Sequence, residues 1–116
     1  MIKLVIAGGR TFNNYTGMAK ALDKLLVNHT DVTVISGGAR GADKLGERYA
    51  KERGYKLHVE LAQWDKYGKS AGYKRNEVMA KMATHVVAFW DGESRGTKHM
   101  IELAKKYDCK LKVGRY

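Results

Sequence analysis

The chain contains no proline, where average usage of ~5% would supply about six. A proline-rich linker or tail is thereby excluded. Its single cysteine, Cys109, cannot form an intrachain disulfide, which suits a reducing compartment. No apolar run approaches the ~20 residues that a bilayer span requires. Met1–Ala7 is too short for a signal peptide and leads straight into a glycine turn. These absences set the expectation of a cytoplasmic protein with no membrane partner.

What is present fits one folded unit. The 116 residues are 44% hydrophobic and 29% charged, with the charges interspersed. Such a chain can offset the entropy of ordering with one core, so a single domain over 1–116 is expected. The net charge is +10. Residues 1–58 carry ten basic and five acidic side chains, and residues 59–116 carry twelve and seven, so the excess is spread along the chain. A spread positive charge suits an anionic partner such as a nucleotide, nucleic acid or anionic lipid, and equally a solvated surface.

Strand-like and helix-like segments alternate. Ile2–Ala7, Val32–Ile35, Lys56–Leu61, His85–Phe89 and Lys110–Val113 read as strands. Tyr15–Val27, Asp43–Arg53, Gly72–Met82 and Thr97–Tyr107 carry apolar residues at helical spacing, with Val78, Met79 and Met82 expected in the core. Ala62–Ser70 reads as a long connecting segment. The alternation predicts an α/β fold: a Rossmann-like three-layer sandwich around a mostly parallel five-stranded sheet.

Three glycine turns fall at strand ends. They are Gly8-Gly9-Arg10, Gly37-Gly38-Ala39-Arg40-Gly41-Ala42-Asp43, and Asp91-Gly92-Glu93-Ser94-Arg95-Gly96-Thr97. In an open parallel sheet these ends share one edge, where ligands bind near a topological switch point. Glycine lets the backbone approach a ligand, and a helix N-terminus attracts phosphate. A tight strand-to-helix connection explains any one of these turns alone. Three together, each with an arginine (Arg10, Arg40, Arg95), point to phosphate binding, with surface ion pairs as the alternative use of the arginines. Neither G-x-G-x-x-G nor G-x-x-x-x-G-K-[ST] is present. Asp43 in a helix first turn fits either ribose binding or the helix dipole, and Thr97 fits a cap, a phosphate contact, or both.

Between Trp64 and Asn76 the chain mixes aromatics, glycines and bases. Such a segment can stack a base and neutralise phosphate. Arg75, four residues before Met79, shares that helix's inward side and needs a partner there: a ligand phosphate, Asp91 or Glu77. The histidines His29, His58, His85 and His99 have no metal-ligand spacing. No metal and no cofactor are expected.

Ile35-Ser36-Gly37-Gly38-Ala39-Arg40-Gly41-Ala42-Asp43 resembles the signature of the SLOG (SMF/DprA–LOG) superfamily. Trp64-Asp65-x-x-Gly68, Ala71-Gly72-x-x-Arg75-Asn76-x-x-Met79-Ala80 and Phe89-Trp90-Asp91-Gly92-x-Ser94-x-Gly96-Thr97 continue the match. The set resembles the small YspA-like, YpsA-related SLOG family, which includes phage members. The resemblance implies a Rossmann-like nucleotide-binding fold, and a homodimer of the kind LOG proteins form. In the LOG phosphoribohydrolase branch, an arginine in M-x-x-R-K and a glutamate in G-G-x-G-T-x-x-E serve catalysis. Arg75 and Gly96-Thr97 match, but the glutamate position is Met100, which cannot act as acid, base or cation stabiliser. Glu102 lies about 200° round the helix at ~100° per residue.

Three functions follow, in this order. The first is binding of a nucleotide-type small molecule (a ribonucleotide, ADP-ribose or NAD-type ligand), as sensor or sequestering domain. The residues implied are Gly8, Gly9, Arg10, Gly37, Gly38, Arg40, Gly41, Asp43, Trp64, Arg75, Asn76, Asp91, Ser94, Gly96 and Thr97. The second is N-glycosidic hydrolysis of a nucleoside monophosphate by Arg75, with Asp91 or Glu93 as general acid or cation stabiliser. The third is single-stranded nucleic-acid binding of the DprA type through Lys66–Lys81, where five bases outnumber one acid, Glu77.

Overall fold

A computed structural model describes residues 1–116. Five strands, β1 (Ile2–Gly8), β2 (Val32–Ser36), β3 (Lys56–Val59), β4 (His85–Trp90) and β5 (Lys110–Arg115), form one sheet in the order β3-β2-β1-β4-β5. Every pairing is parallel. The helices are α1 (Tyr15–Leu25), α2 (Ala42–Arg53), α3 (Trp64–Tyr67), α4 (Ala71–Met82) and α5 (Arg95–Lys106), with a 3-10 turn at Gly68–Ser70. The fold is Rossmann-like.

The pleat sorts the core. Successive strand side chains point to opposite faces. On β1, Leu4 and Ile6 join Met18, Leu22, Tyr49 and Ala50 of α1 and α2. Val5 and Ala7 join Met79, Ala80, Met100 and Leu103 of α4 and α5. Covered on both faces, β1 reads as an unbroken apolar run. β5 lies at the sheet edge, and its Lys110 and Lys112 are exposed. Lysines on an edge strand discourage pairing with a further chain.

The chain builds outward from β1 through β2 to β3, then crosses back to β4 on the other side of β1. This reversal opens a crevice beyond the carboxyl ends of β1 and β4, with Gly8 level with Phe89.

Several boundaries differ from the sequence reading: β3 ends at Val59 instead of Leu61, α1 ends at Leu25 instead of Val27, and others move by one residue. Ala62–Ser70 holds the one-turn helix α3 and the 3-10 turn instead of open coil. β5 runs two residues further, to Arg115, and α5 starts at Arg95, where the Ser94 hydroxyl accepts from the Thr97 N–H. Val78 is not in the core: it is 43% exposed. The inward stripe of α4 is Ala71, Asn76, Met79 and Ala80. Val78, one residue or ~100° from Met79, therefore faces outward.

Candidate functional site: a basic cleft at the strand ends

The turns after β1 and β2 are joined through their backbones. The Ala42 N–H donates to the Gly9 carbonyl at 3.3 Å. Gly41, at φ +78°, makes this possible, because a Cβ there would run into the Gly9 and Arg10 backbone. Gly41 does not border the cleft between the turns; its role is to hold the two turns together. The turn after β4 closes the third side.

Between these turns lies a cleft with two adjoining compartments. The outer one, about 720 Å3, is lined by Arg10, Gly37, Gly38, Arg40, Trp64, Lys69, Arg75, Asn76 and Gly96, with Leu61, Ala62 and Tyr73 adding apolar wall. The inner one, about 420 Å3, is lined by Gly8, Gly9, Arg10, Asp43, Arg75, Asn76, Asp91, Ser94, Gly96 and Thr97, and by Met79 and Met100. Arg10, Arg75, Asn76 and Gly96 border both. Both volumes are in the usual ligand-site range of ~300–1,000 Å3.

Arg75 is the hinge between the compartments. Its Nη1 donates to the Gly37 carbonyl at 3.0 Å, and its Nη2 reaches the Asn76 Oδ1 at 3.4 Å. Its Nε is buried with no partner, the one such side-chain atom in the molecule. An unpaired buried donor costs on the order of 1–3 kcal/mol. Arg75 also has no carboxylate within 4 Å. Neither Asp91 nor Glu77 is its partner. Gly37 admits the guanidinium, since a Cβ there would stand 2.9 Å from the Asp43 carboxylate and 3.1 Å from Arg75.

Beside Gly37 sits an acidic network of which the sequence reading named Asp43 and missed Glu47. The Ser36 hydroxyl donates to Glu47 Oε2 at 2.7 Å and accepts from the Gly38 N–H at 3.0 Å. Asp43 accepts from the Ala39 N–H at 3.1 Å. Burial pushes the Asp43 carboxyl up to about 6, against the opposing pull of the Ala39 N–H and the Arg75 charge. Asp43 and Glu47 lie four residues apart on α2, so they share a face. That spacing is the sequence signal that could have flagged Glu47.

The turn after β4 divides the remaining candidates. Asp91 borders the inner compartment, but its Oδ1 accepts from both the Glu93 and Ser94 N–H groups at 2.8 Å. The Ser94 and Glu93 amides hold its pKa below the usual carboxylate range. A carboxylate held in its ionised form is better suited to charge stabilisation than to proton donation. Glu93 and Arg95 are exposed and border neither compartment. The Asx turn closed by Asp91 uses the Glu93 amide and leaves its side chain outside. Thr97 is buried with its Oγ1 3.0 Å from the Ser94 hydroxyl. Met100, at the glutamate position of the LOG pattern, is 1% exposed and packed in the core, while Glu102 is exposed.

The model of the YspA, cpYpsA-related SLOG family matches residues 2–67. The chain belongs to that family. The gene 61 protein of Mycobacterium phage D29 is 36% identical over 113 residues, spanning 91% of this chain and 90% of that one. In structure the SLOG chain resembles DNA processing protein A from Helicobacter pylori, described for its single-stranded DNA binding mode. The TM-score is 0.74 at 20% identity, over 97% of this chain and 64% of that one. DNA processing protein A (DprA) from Streptococcus pneumoniae gives a TM-score of 0.75 at 17% identity, over 97% and 50%. The chain thus spans between half and two thirds of the length of those proteins, and at these identities the likeness is one of fold.

Proposed function

We propose that the cleft binds single-stranded nucleic acid, seating one nucleotide at Arg75 with its phosphate toward the guanidinium and its base toward Leu61, Trp64 and Tyr73. The observation that carries this reading is the Arg75 guanidinium, which borders both compartments and has no carboxylate within 4 Å. A phosphate oxygen gives that guanidinium a charge-assisted partner, a contact of roughly 1.5–3 kcal/mol. Arg10, Arg40 and Lys69 line the outer compartment beside Arg75, and no carboxylate does. Trp64, 56% exposed, offers an aromatic face at its rim. Positive groups along a trough with stacking rings are what an unpaired strand requires.

The sequence ranks a free nucleotide ahead of a strand. The breadth of the outer trough reverses that order, and the single-stranded DNA binding described for the Helicobacter fold relative supports the reversal. The free-nucleotide reading is favoured by a different observation. The inner compartment, enclosed by Gly8-Gly9 and Gly96-Thr97, matches a single small ligand.

Fluorescence anisotropy with labelled (dT)12, beside calorimetry with AMP, NAD and ADP-ribose, separates the two. Strand binding predicts tight oligonucleotide binding that falls steeply with salt as counterions are released. Strong binding of a free nucleotide with none of (dT)12 would replace it with the second reading.

A further inference from the structure

The outward turn of Val78 creates a second feature. Val78, Tyr67, Tyr73, Lys74 and His99 line a groove of about 400 Å3 on the outer side of α4. Tyr73 borders both this groove and the outer compartment of the cleft, so one ring separates them. That ring is held in place. It meets His99 edge-on with centroids 4.6 Å apart, and the Asn76 amide reaches His99 Nδ1 at 3.3 Å. Burial lowers the His99 pKa, keeping this support uncharged at neutral pH. Tyr67 is flanked by Lys66 Nζ at 5.0 Å and Lys74 Nζ at 4.8 Å from its ring centre. Neither lysine has a carboxylate within 4 Å. The one acid in the groove, Glu77, is paired with Lys81 at 3.4 Å.

Two exposed phenol rings, an exposed isopropyl group and free ammonium groups form a surface that is apolar in its floor and positive at its rim. A nucleobase with its phosphate has the complementary form: an apolar face beside a negative charge. We propose that this groove seats the base of the nucleotide adjoining the one in the glycine cleft, on the same strand, with Lys66 and Lys74 turning to the intervening phosphate. The inference rests on the single-strand reading above.

The test is a labelled (dT)12 titration of the wild type, Tyr67→Ala, Tyr67→Phe and Arg75→Ala. Loss of one stacked base should weaken Tyr67→Ala by about 5- to 100-fold, with Tyr67→Phe within about threefold of wild type. In parallel, the wild type is photo-crosslinked to a 4-thiothymidine strand, which should label Tyr67, a residue of the groove and not of the cleft. The crosslink decides the matter if Tyr67→Ala does not fold. Wild-type affinity in folded Tyr67→Ala, or a crosslink that misses Tyr67, overturns the second site. If Arg75→Ala is still weakened in that case, the cleft reading stands. No binding of (dT)12 by the wild type ends both.

Discussion

Two groups of charges in this molecule use the same residue types to opposite ends. Where α1 meets α2, acids and bases are paired. Arg53 grips Asp23 with two bonds of 2.9 Å, and Tyr49 adds a third at 2.7 Å. Arg48 and Tyr15 both bond Glu52. The Asp23 carboxyl is pulled below its ordinary range by Arg53 and Tyr49, and Glu52 by Arg48 and Tyr15. At the strand ends the pattern inverts. Arg10, Arg40 and Arg75 have no carboxylate within 4 Å, and Asp43 is pushed up to about 6 by burial. Saturated charges fasten two helices together. Unsaturated charges in a cleft leave binding capacity for something from outside.

Four substitutions break or sharpen that contrast. The largest effect is expected from Gly41→Ala. It forces a side chain onto a left-handed backbone and into the Gly9–Arg10 backbone, at a cost of about 3 kcal/mol. Thermal unfolding should show the loss, and oligonucleotide binding should fall with it as the two turns separate.

Asp43 comes next. Its native pKa of about 6 exceeds the ordinary value of 3.8, so between those values the folded state holds more protons than the unfolded one. Stability is then greatest below pH ~4 with respect to this group and declines as pH rises to about 6. The decline is of order 3 kcal/mol for a shift of about two units. Asp43→Asn should flatten that part of the stability–pH curve, as denaturant titrations between pH 4 and 7 would reveal. A phosphodiester does not titrate in this range. Its affinity for the wild type should therefore rise as pH falls through 6 and Asp43 loses its charge, and Asp43→Asn should abolish the rise.

Arg75→Ala should weaken (dT)12 by about 10- to 100-fold, the worth of one charge-assisted contact, with the unfolding midpoint little changed. Arg53→Ala is the mirror experiment. It should lower the unfolding midpoint and leave (dT)12 affinity within about twofold, because Arg53 binds only within the α1–α2 network. If Arg53→Ala weakened binding as much as Arg75→Ala, the division into two kinds of charge would fail.

Much of this was legible in the sequence because its signals are local. The apolar run Ile2–Ala7 ending in glycines marks a central strand, and the three turns carry their constraint in the glycines themselves. All the ligand-binding candidates except Gly41 border the cleft. What was not legible depends on distant contacts or on a direction of a few tens of degrees. One turn of helix at Trp64–Tyr67 is too short to show a period. Val78 belongs to an apolar cluster in sequence, but its facing is decided by the pairing of Asn76 with the Gly96 carbonyl and His99. Glu93 and Arg95 look like site residues until the Asp91 turn directs them outward. Leu61 and Ala62 join the cleft only through the return from β3 to α3.

The most direct test is to watch the Arg75 Nε–H itself by 15N–1H correlation spectroscopy, assigned by its disappearance in Arg75→Lys. On addition of (dT)12 this resonance is expected to shift as the guanidinium gains a phosphate acceptor, saturating with the strand. A resonance that stays fixed while the strand binds would contradict the account, because the Arg75 guanidinium would then have no part in holding the phosphate.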